Sequence, residues 1–176
     1  VFSNGDEVEL IQNGTSVGKL TSGTRLAAEL PHSFLFDLTY LPGTLEAVSY
    51  KDGKEISRDT LVTTGPAKEL RLIQEKKELS ANGHEVAYVR VEIVDENGIV
   101  VPDAALRLSA AVEGVGSLAA FGSSNPITDE NYTSGTFTSY HGTATAIIRS
   151  GYQTGMCTLT VGCEELDEKK IAFTIK

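Results

Sequence analysis

The side chains best equipped for chemistry in this chain are carboxylates, 24 Asp and Glu against 15 Lys and Arg. Several stand in short clusters: Asp95-Glu96-Asn97-Gly98, Asp129-Glu130-Asn131, Glu164-Glu165 and Asp167-Glu168. The first two could offer oxygen ligands to calcium, but neither has the spacing of a calcium loop. Asp95 to Gly98 carries the residues of a β-turn, and Glu164 to Glu168 reads as a solvated hairpin tip. Ser16-Val17-Gly18-Lys19 matches the Ser-x-x-Lys pattern of acyl-transferring enzymes. That pattern works on a helix, where residues three apart share a face. Here it follows Asn13-Gly14 in a hairpin strand, where positions i and i+3 point to opposite faces. His32, His84 and His141 lie in separate turns without zinc-ligand spacing. There is no Gly-x-Ser-x-Gly elbow and no phosphate-binding glycine loop. The sequence therefore assigns no catalytic residue, no metal ligand and no cofactor.

Two further chemistries are weak. A glycosidase needs two carboxylates about 5–9 Å apart in a cleft; candidates abound, yet none stands on a recognisable catalytic frame. Asn13-Gly14-Thr15 and Asn131-Tyr132-Thr133 fit the glycosylation sequon, a three-residue pattern that recurs by chance. Cys157 and Cys163 bracket a segment that reads as one strand. Its ends would lie roughly 20 Å apart, beyond the ~7 Å reach of a disulfide. Both thiols are expected reduced and buried on the face of Leu159 and Val161.

The elements that must carry these residues are strands. Glu7 to Leu10 runs into Asn13-Gly14, Leu45 to Tyr50 into Asp52-Gly53, and Tyr88 to Val94 into Asn97-Gly98. Period-two alternation between such turn signals spells half-buried antiparallel strands. The fold class is all-β: two immunoglobulin-like antiparallel β-sandwich domains in tandem. Thr63-Thr64-Gly65-Pro66 marks a boundary, giving domains over 1–66 and 67–176. In the first, strands are expected near 1–4, 7–12, 15–20, 34–39, 44–50 and 55–62, one short of a full sandwich. A helical turn at Leu26 to Leu30, ended by Pro31, is an option in 21–33. In the second, strands are expected near 68–74, 86–95, 104–112, 116–121, 143–149, 156–163 and 170–175, a number that suits an immunoglobulin-like sandwich. Val89, Val91 and Ile93 should face in, and Tyr88, Arg90 and Glu92 out.

Residues 122–141 break the rhythm. Long irregular connections in compact domains are usually functional or packed on a neighbour. With Asn125, Tyr132, Phe137 and Tyr140, this loop is the candidate interface, packing on its own domain or on something outside it.

Composition narrows the partners. The net charge of −9 argues against nucleic acid and anionic membrane surfaces, and no apolar run is long enough to span a bilayer. Apolar residues make up 40% of the 176, enough for real cores. The chain opens on Val1-Phe2-Ser3, which reads as mid-strand, so a piece of a longer protein is expected and its compartment stays open.

Val1 to Leu10, then Asn13-Gly14 and Ser16-Val17-Gly18, resembles a segment found after the catalytic barrel of bacterial β-galactosidase-like enzymes of glycoside hydrolase family 2. Tyr40-Leu41-Pro42-Gly43-Thr44 through Tyr50, with Gly53-Lys54-Glu55, is similar to a second signature of that domain. Ala87 to Asp95, with Gly98 and Val101-Pro102, then Gly122 to Pro126 and Gly142-Thr143-Ala144, resembles the final domain of these enzymes and also bacterial immunoglobulin-like adhesin repeats. The resemblance implies non-catalytic accessory domains that brace a catalytic barrel outside this chain. The parent would hydrolyse O-glycosidic bonds, while this piece would not. The other readings are a carbohydrate-binding module, with the six Tyr standing in for the absent Trp, and an adhesin-type structural repeat.

Overall fold

A computed structural model describes residues 1–22 and 32–176. The option of a helical turn at Leu26 to Leu30 lies outside the described residues. The fold is all-β, and the chain divides into two compact units, Val1–Thr63 and Thr64–Lys176.

The first unit contains β1 (Glu7–Gln12), β2 (Thr15–Thr21), β3 (Thr44–Lys51) and β4 (Lys54–Val62). They form one antiparallel sheet in the order β2-β1-β3-β4. Asn13 (φ 50°) and Gly14 (φ 77°) turn β1 into β2, and Asp52 (φ 51°) and Gly53 (φ 73°) turn β3 into β4. Both central residues of each turn are left-handed, the geometry that matches strand twist and explains the Asn-Gly and Asp-Gly sequences. Val8 pairs with Ser49 and Leu10 with Ala47, so these share one face of the sheet. Glu9 and Val48 pair on the other.

The expected strand at 1–4 is reduced to a bridge between Phe2 and Ser33, and 34–39 is extended backbone without ladder partners. These segments start a second layer over the Val8 face. Phe34 is buried, and the Ser3 hydroxyl lies 2.5 Å from that of Ser49.

The second unit contains β5 (Glu69–Gln74), β6 (Glu78–Leu79), β7 (Val86–Val94), β8 (Arg107–Gly114), β9 (Gly116–Gly122), β10 (Thr136–Thr138), β11 (Thr143–Ser150), β12 (Gly155–Gly162) and β13 (Lys169–Ile175). One sheet runs β10-β8-β12-β13-β6 and the other β5-β7-β11-β9. Pairing is antiparallel except for the two-residue β13–β6 contact, which is parallel. The core lies between the sheets. Leu70, Val89, Val91, Ile93, Ala146, Ile148 and Phe121 on one meet Leu108, Cys157, Leu159, Val161, Phe173 and Ile175 on the other.

Two expectations need correction. Glu92 faces away from the core as its alternation requires, yet it is only 4% exposed. Arg71 from β5 and Arg90 from its own strand clamp the carboxylate at 2.6 and 2.8 Å, and their stems shield it. Cys157 is fully buried, but Cys163 stands just past the end of β12 and is half-buried against the core edge; both thiols are free.

Candidate functional site

The loop 122–141 is fastened to its own unit at several points. Phe121 donates its N–H to the Tyr132 carbonyl at 2.7 Å, and Ala110 donates to that of Gly135 at 2.7 Å. Gly135 introduces β10, whose Phe137 pairs with Leu108 and is fully buried in the sandwich core. Tyr132 stacks on Phe137 with ring centroids 4.7 Å apart and planes 29° apart. The stack requires glycine at 122, because a Cβ there would sit 2.2 Å from the Tyr132 ring. Tyr132 keeps 46% of its surface exposed. Tyr140 is half-buried, edge-on to His141 at 4.1 Å, and exchanges backbone hydrogen bonds with Thr143. Asn125 accepts the Ile127 N–H at 3.0 Å and so shapes the turn that leaves Ile127 86% exposed. The four candidate residues thus play different parts: Phe137 is core, Asn125 is a turn former, and Tyr132 and Tyr140 present partial ring surface.

Two of the carboxylates named from sequence are occupied. Glu130 is ion-paired with Arg107 and accepts the Thr138 N–H and hydroxyl at 3.1 Å. Asp95 is buried and accepts the N–H groups of Gly65, Asn97 and Ile99, each at 2.9 Å. Those donors hold its carboxyl below the usual range, so it is a stapled turn. Among the described residues no group of three or more His, Cys, Asp or Glu is placed to hold a metal. Glu164, Glu165, Asp167 and Glu168 are exposed around the β12–β13 connection. Asn13 uses its side chain to accept the Thr44 N–H at 2.8 Å and donate to the Pro42 carbonyl at 3.0 Å, a structural role for that sequon residue.

The outer face of the first sheet departs from expectation. A bulge between Leu10 and Ile11 shifts the β1–β2 register, so that Gly18 pairs with Leu10 and Ser16 with Ile11. This carries Ser16 onto the same face as Lys19. The Ser16 and Tyr50 hydroxyls hold the Glu9 carboxyl below its ordinary range. Lys19 pairs with Glu7 at 2.6 Å and lies 4.4 Å over the Tyr50 ring. Its ammonium is held above the ordinary range by the bond to Glu7, the opposite of what a general base requires. Glu7, Glu9, Lys19 and Tyr50 thus form an ionic cluster on the Val48 face of the sheet.

Sequence reasoning missed the Glu92 clamp and the Ser16 shift. The first needs a partner 21 positions away, and the second needs a bulge that leaves no mark in the alternation. For Phe137, Gly135 followed by Thr-Phe-Thr was a legible signal of a short strand.

The fold and its stapled loops define an all-β chain of two compact units. The chain belongs to glycoside hydrolase family 2: the family model described as glycoside hydrolase family 2 C-terminal domain 5 matches residues 70–172. A domain of unknown function (DUF4982) matches residues 1–57. The chain is similar to the β-galactosidase BoGH2A of Bacteroides ovatus, 28% identical over 94% of this chain and 19% of that protein. It is similar to a β-galactosidase of Thermoanaerobacter pseudethanolicus, 34% identical over 74% of this chain and 19% of that protein. Its fold superposes on a family 2 member from Bacteroides cellulosilyticus with a TM-score of 0.94 and 29% identity, covering 99% of this chain and 22% of that one. The chain therefore spans about a fifth of the length of the relatives it matches.

Proposed function

We propose that this chain is a non-catalytic accessory part of a family 2 glycoside hydrolase whose catalytic barrel lies elsewhere in the polypeptide. The observation that carries the reading is the match to a C-terminal domain model together with coverage of only about a fifth of two β-galactosidases. The chemistry agrees. Glu130 and Asp95 are bound up in an ion pair and a turn, whereas a glycosidase acid must be free to exchange its proton. The role is bracing of the barrel, and the division into domains 1–66 and 67–176 gives two such braces. The contact surface in the second is the loop 122–141, through the free sides of Tyr132 and Tyr140, with Asn125 shaping the turn and Phe137 anchoring the loop from within.

The test is made on the parent enzyme. Removal of the chain should lower the parent's thermal midpoint or assembly while leaving turnover per correctly folded active site within a few-fold. Loss of turnover at unchanged stability, with active sites titrated, would contradict the accessory role. Calorimetric titration of the chain with oligosaccharides addresses the binding-module alternative: micromolar affinity would promote it.

A further inference from the structure

The outer face of the sheet β5-β7-β11-β9 holds two arginines on one carboxylate, and uses them differently. Glu92 lies on this solvent side of the sheet yet is almost fully buried. Arg71 commits all three of its nitrogens: Nε and Nη2 meet Glu92 Oε2 at 2.7 and 2.6 Å, and Nη1 donates to the Gly98 carbonyl at 2.8 Å. Arg90 commits only Nε, which lies 2.8 Å from Glu92 Oε1. Among the described residues its Nη1 and Nη2 have no partner, and the side chain is 62% exposed. Glu92 therefore orients Arg90 by one edge and leaves the edge between its terminal nitrogens free. Such an edge offers two parallel N–H donors at the spacing of carboxylate oxygens. Because the clamp already restrains the side chain, less freedom is lost when a ligand is gripped.

The register supplies the surroundings. Thr145 pairs with Arg90, and Ile147 with Tyr88. Directly opposed side chains stand about 5 Å apart, so the exposed Thr145 hydroxyl adjoins the fork. Tyr88, two residues along the same strand and half exposed, adjoins it on the same face. Past the Tyr88–Ile147 pair stands Arg149, exposed and without an ion pair among the described residues. Arg90 and Arg149 are thus two free cations about 13 Å apart along the strands, with a ring between them. Of the other carboxylates on this face, Glu69 is taken by Lys169 at 2.8 Å and Glu75 stands on the edge strand beside Tyr88. The chain carries a net −9, but beyond about 8 Å its charges are screened at physiological salt. The face is positive where a ligand would meet it.

We infer that this face binds an acidic oligosaccharide. One sugar carboxylate sits on the Arg90 fork beside the Thr145 hydroxyl, a sugar ring lies over Tyr88, and a second carboxylate lies near Arg149. The preference for an anion rests on charge complementarity with Arg90 and Arg149 and on the way Glu92 presents the fork. The choice of a saccharide among carboxylate ligands rests on the exposed ring between the two cations and on the chain's membership of a glycoside hydrolase family. The inference does not depend on the accessory role, since a domain that braces a barrel can carry this site or lack it.

The test titrates the isotope-labelled chain with trigalacturonate and with galactotriose, its neutral counterpart, followed by nuclear magnetic resonance. Trigalacturonate should shift the signals of Tyr88, Arg90, Thr145 and Arg149, with a dissociation constant of about a millimolar, the scale of one forked contact and one ring on an open face. Galactotriose should bind about tenfold more weakly or not at all. Arg90→Lys keeps the charge and loses the fork, and should weaken binding about fivefold. Tyr88→Ser leaves the clamp intact and should weaken it about threefold, so the site is read even where an arginine variant unfolds. Raising the salt from about 50 to about 200 mM should weaken it several-fold. Equal affinity for both saccharides, full affinity in Arg90→Lys together with Tyr88→Ser, or shifts elsewhere on the chain would overturn the inference. So would the same shifts from acetate at the same concentration, which would reduce the site to a general anion contact.

Discussion

Replacing Phe137 with Ala tests whether the loop 122–141 is held from inside its own domain. Phe137 is fully buried between the two sheets of the second unit and stacked on Tyr132 at 4.7 Å. Truncating a buried Phe removes transfer energy and leaves a cavity, together about 3–5 kcal/mol. The ring pair adds about 0.5–1.5 kcal/mol. For a domain of just over a hundred residues, each kcal/mol moves the thermal midpoint by about 4 °C. Phe137→Ala should therefore lower the midpoint of the second unit by roughly 15–25 °C. Tyr132→Ser loses the stack and half a ring of burial, and should cost about 1–2 kcal/mol in this chain. The assay is urea and thermal unfolding followed by circular dichroism and Tyr fluorescence, the latter free of Trp background because the chain has none. A loss below about 1 kcal/mol for Phe137→Ala would refute the core assignment. In the parent enzyme, Tyr132→Ser should cost clearly more than in the isolated chain; equal losses would remove the loop as a contact surface.

Native-state thiol titration should leave Cys157 unreacted while Cys163 reacts slowly, and denaturant should release both; burial pushes both thiols up and so suppresses the reactive thiolate. Glu92→Ala strips the partner from Arg71 and Arg90 and should cost ~2 kcal/mol in urea unfolding; an unchanged midpoint would show the clamp to be energetically idle. The Ser80 backbone N–H, the Ser80 hydroxyl and Lys76 hold the Glu85 carboxyl down at about 2. Because the folded value is depressed, its stabilisation is complete above the ordinary carboxylate range and is lost as pH falls towards about 2. Glu85→Gln should thus be less stable than the parent sequence at neutral pH, with the gap closing between pH ~4.5 and ~2; a gap independent of pH would disprove this.

The strands were legible wherever one face is buried by local alternation, as in Val89-Val91-Ile93 and Ile171-Phe173-Ile175. Residues 34–39 show the limit of that signal. Phe34, Phe36 and Leu38 alternate as a strand should, but a strand also needs a ladder, and the described residues supply partners only as far as Phe34. Glu92 looked solvent-facing because nothing near it in sequence reveals Arg71 and the Gly98 carbonyl, which orient the clamp. Ser16 and Lys19 looked separated because parity along a strand ignores bulges. The family resemblance was legible in Val1–Gly18 and Tyr40–Glu55, where hairpin grammar and family wording coincide. The loop residues were legible as a group, but their division into core, turn and surface was not, because Phe137 owes its burial to Leu108 on another strand.

The measurement that bears most directly on the accessory role is an aryl-galactoside assay on the purified chain beside its full-length parent. The account predicts hydrolysis by the parent and none by the chain. Turnover by the chain that survives purification and disappears on mutating one pair of its carboxylates would contradict it.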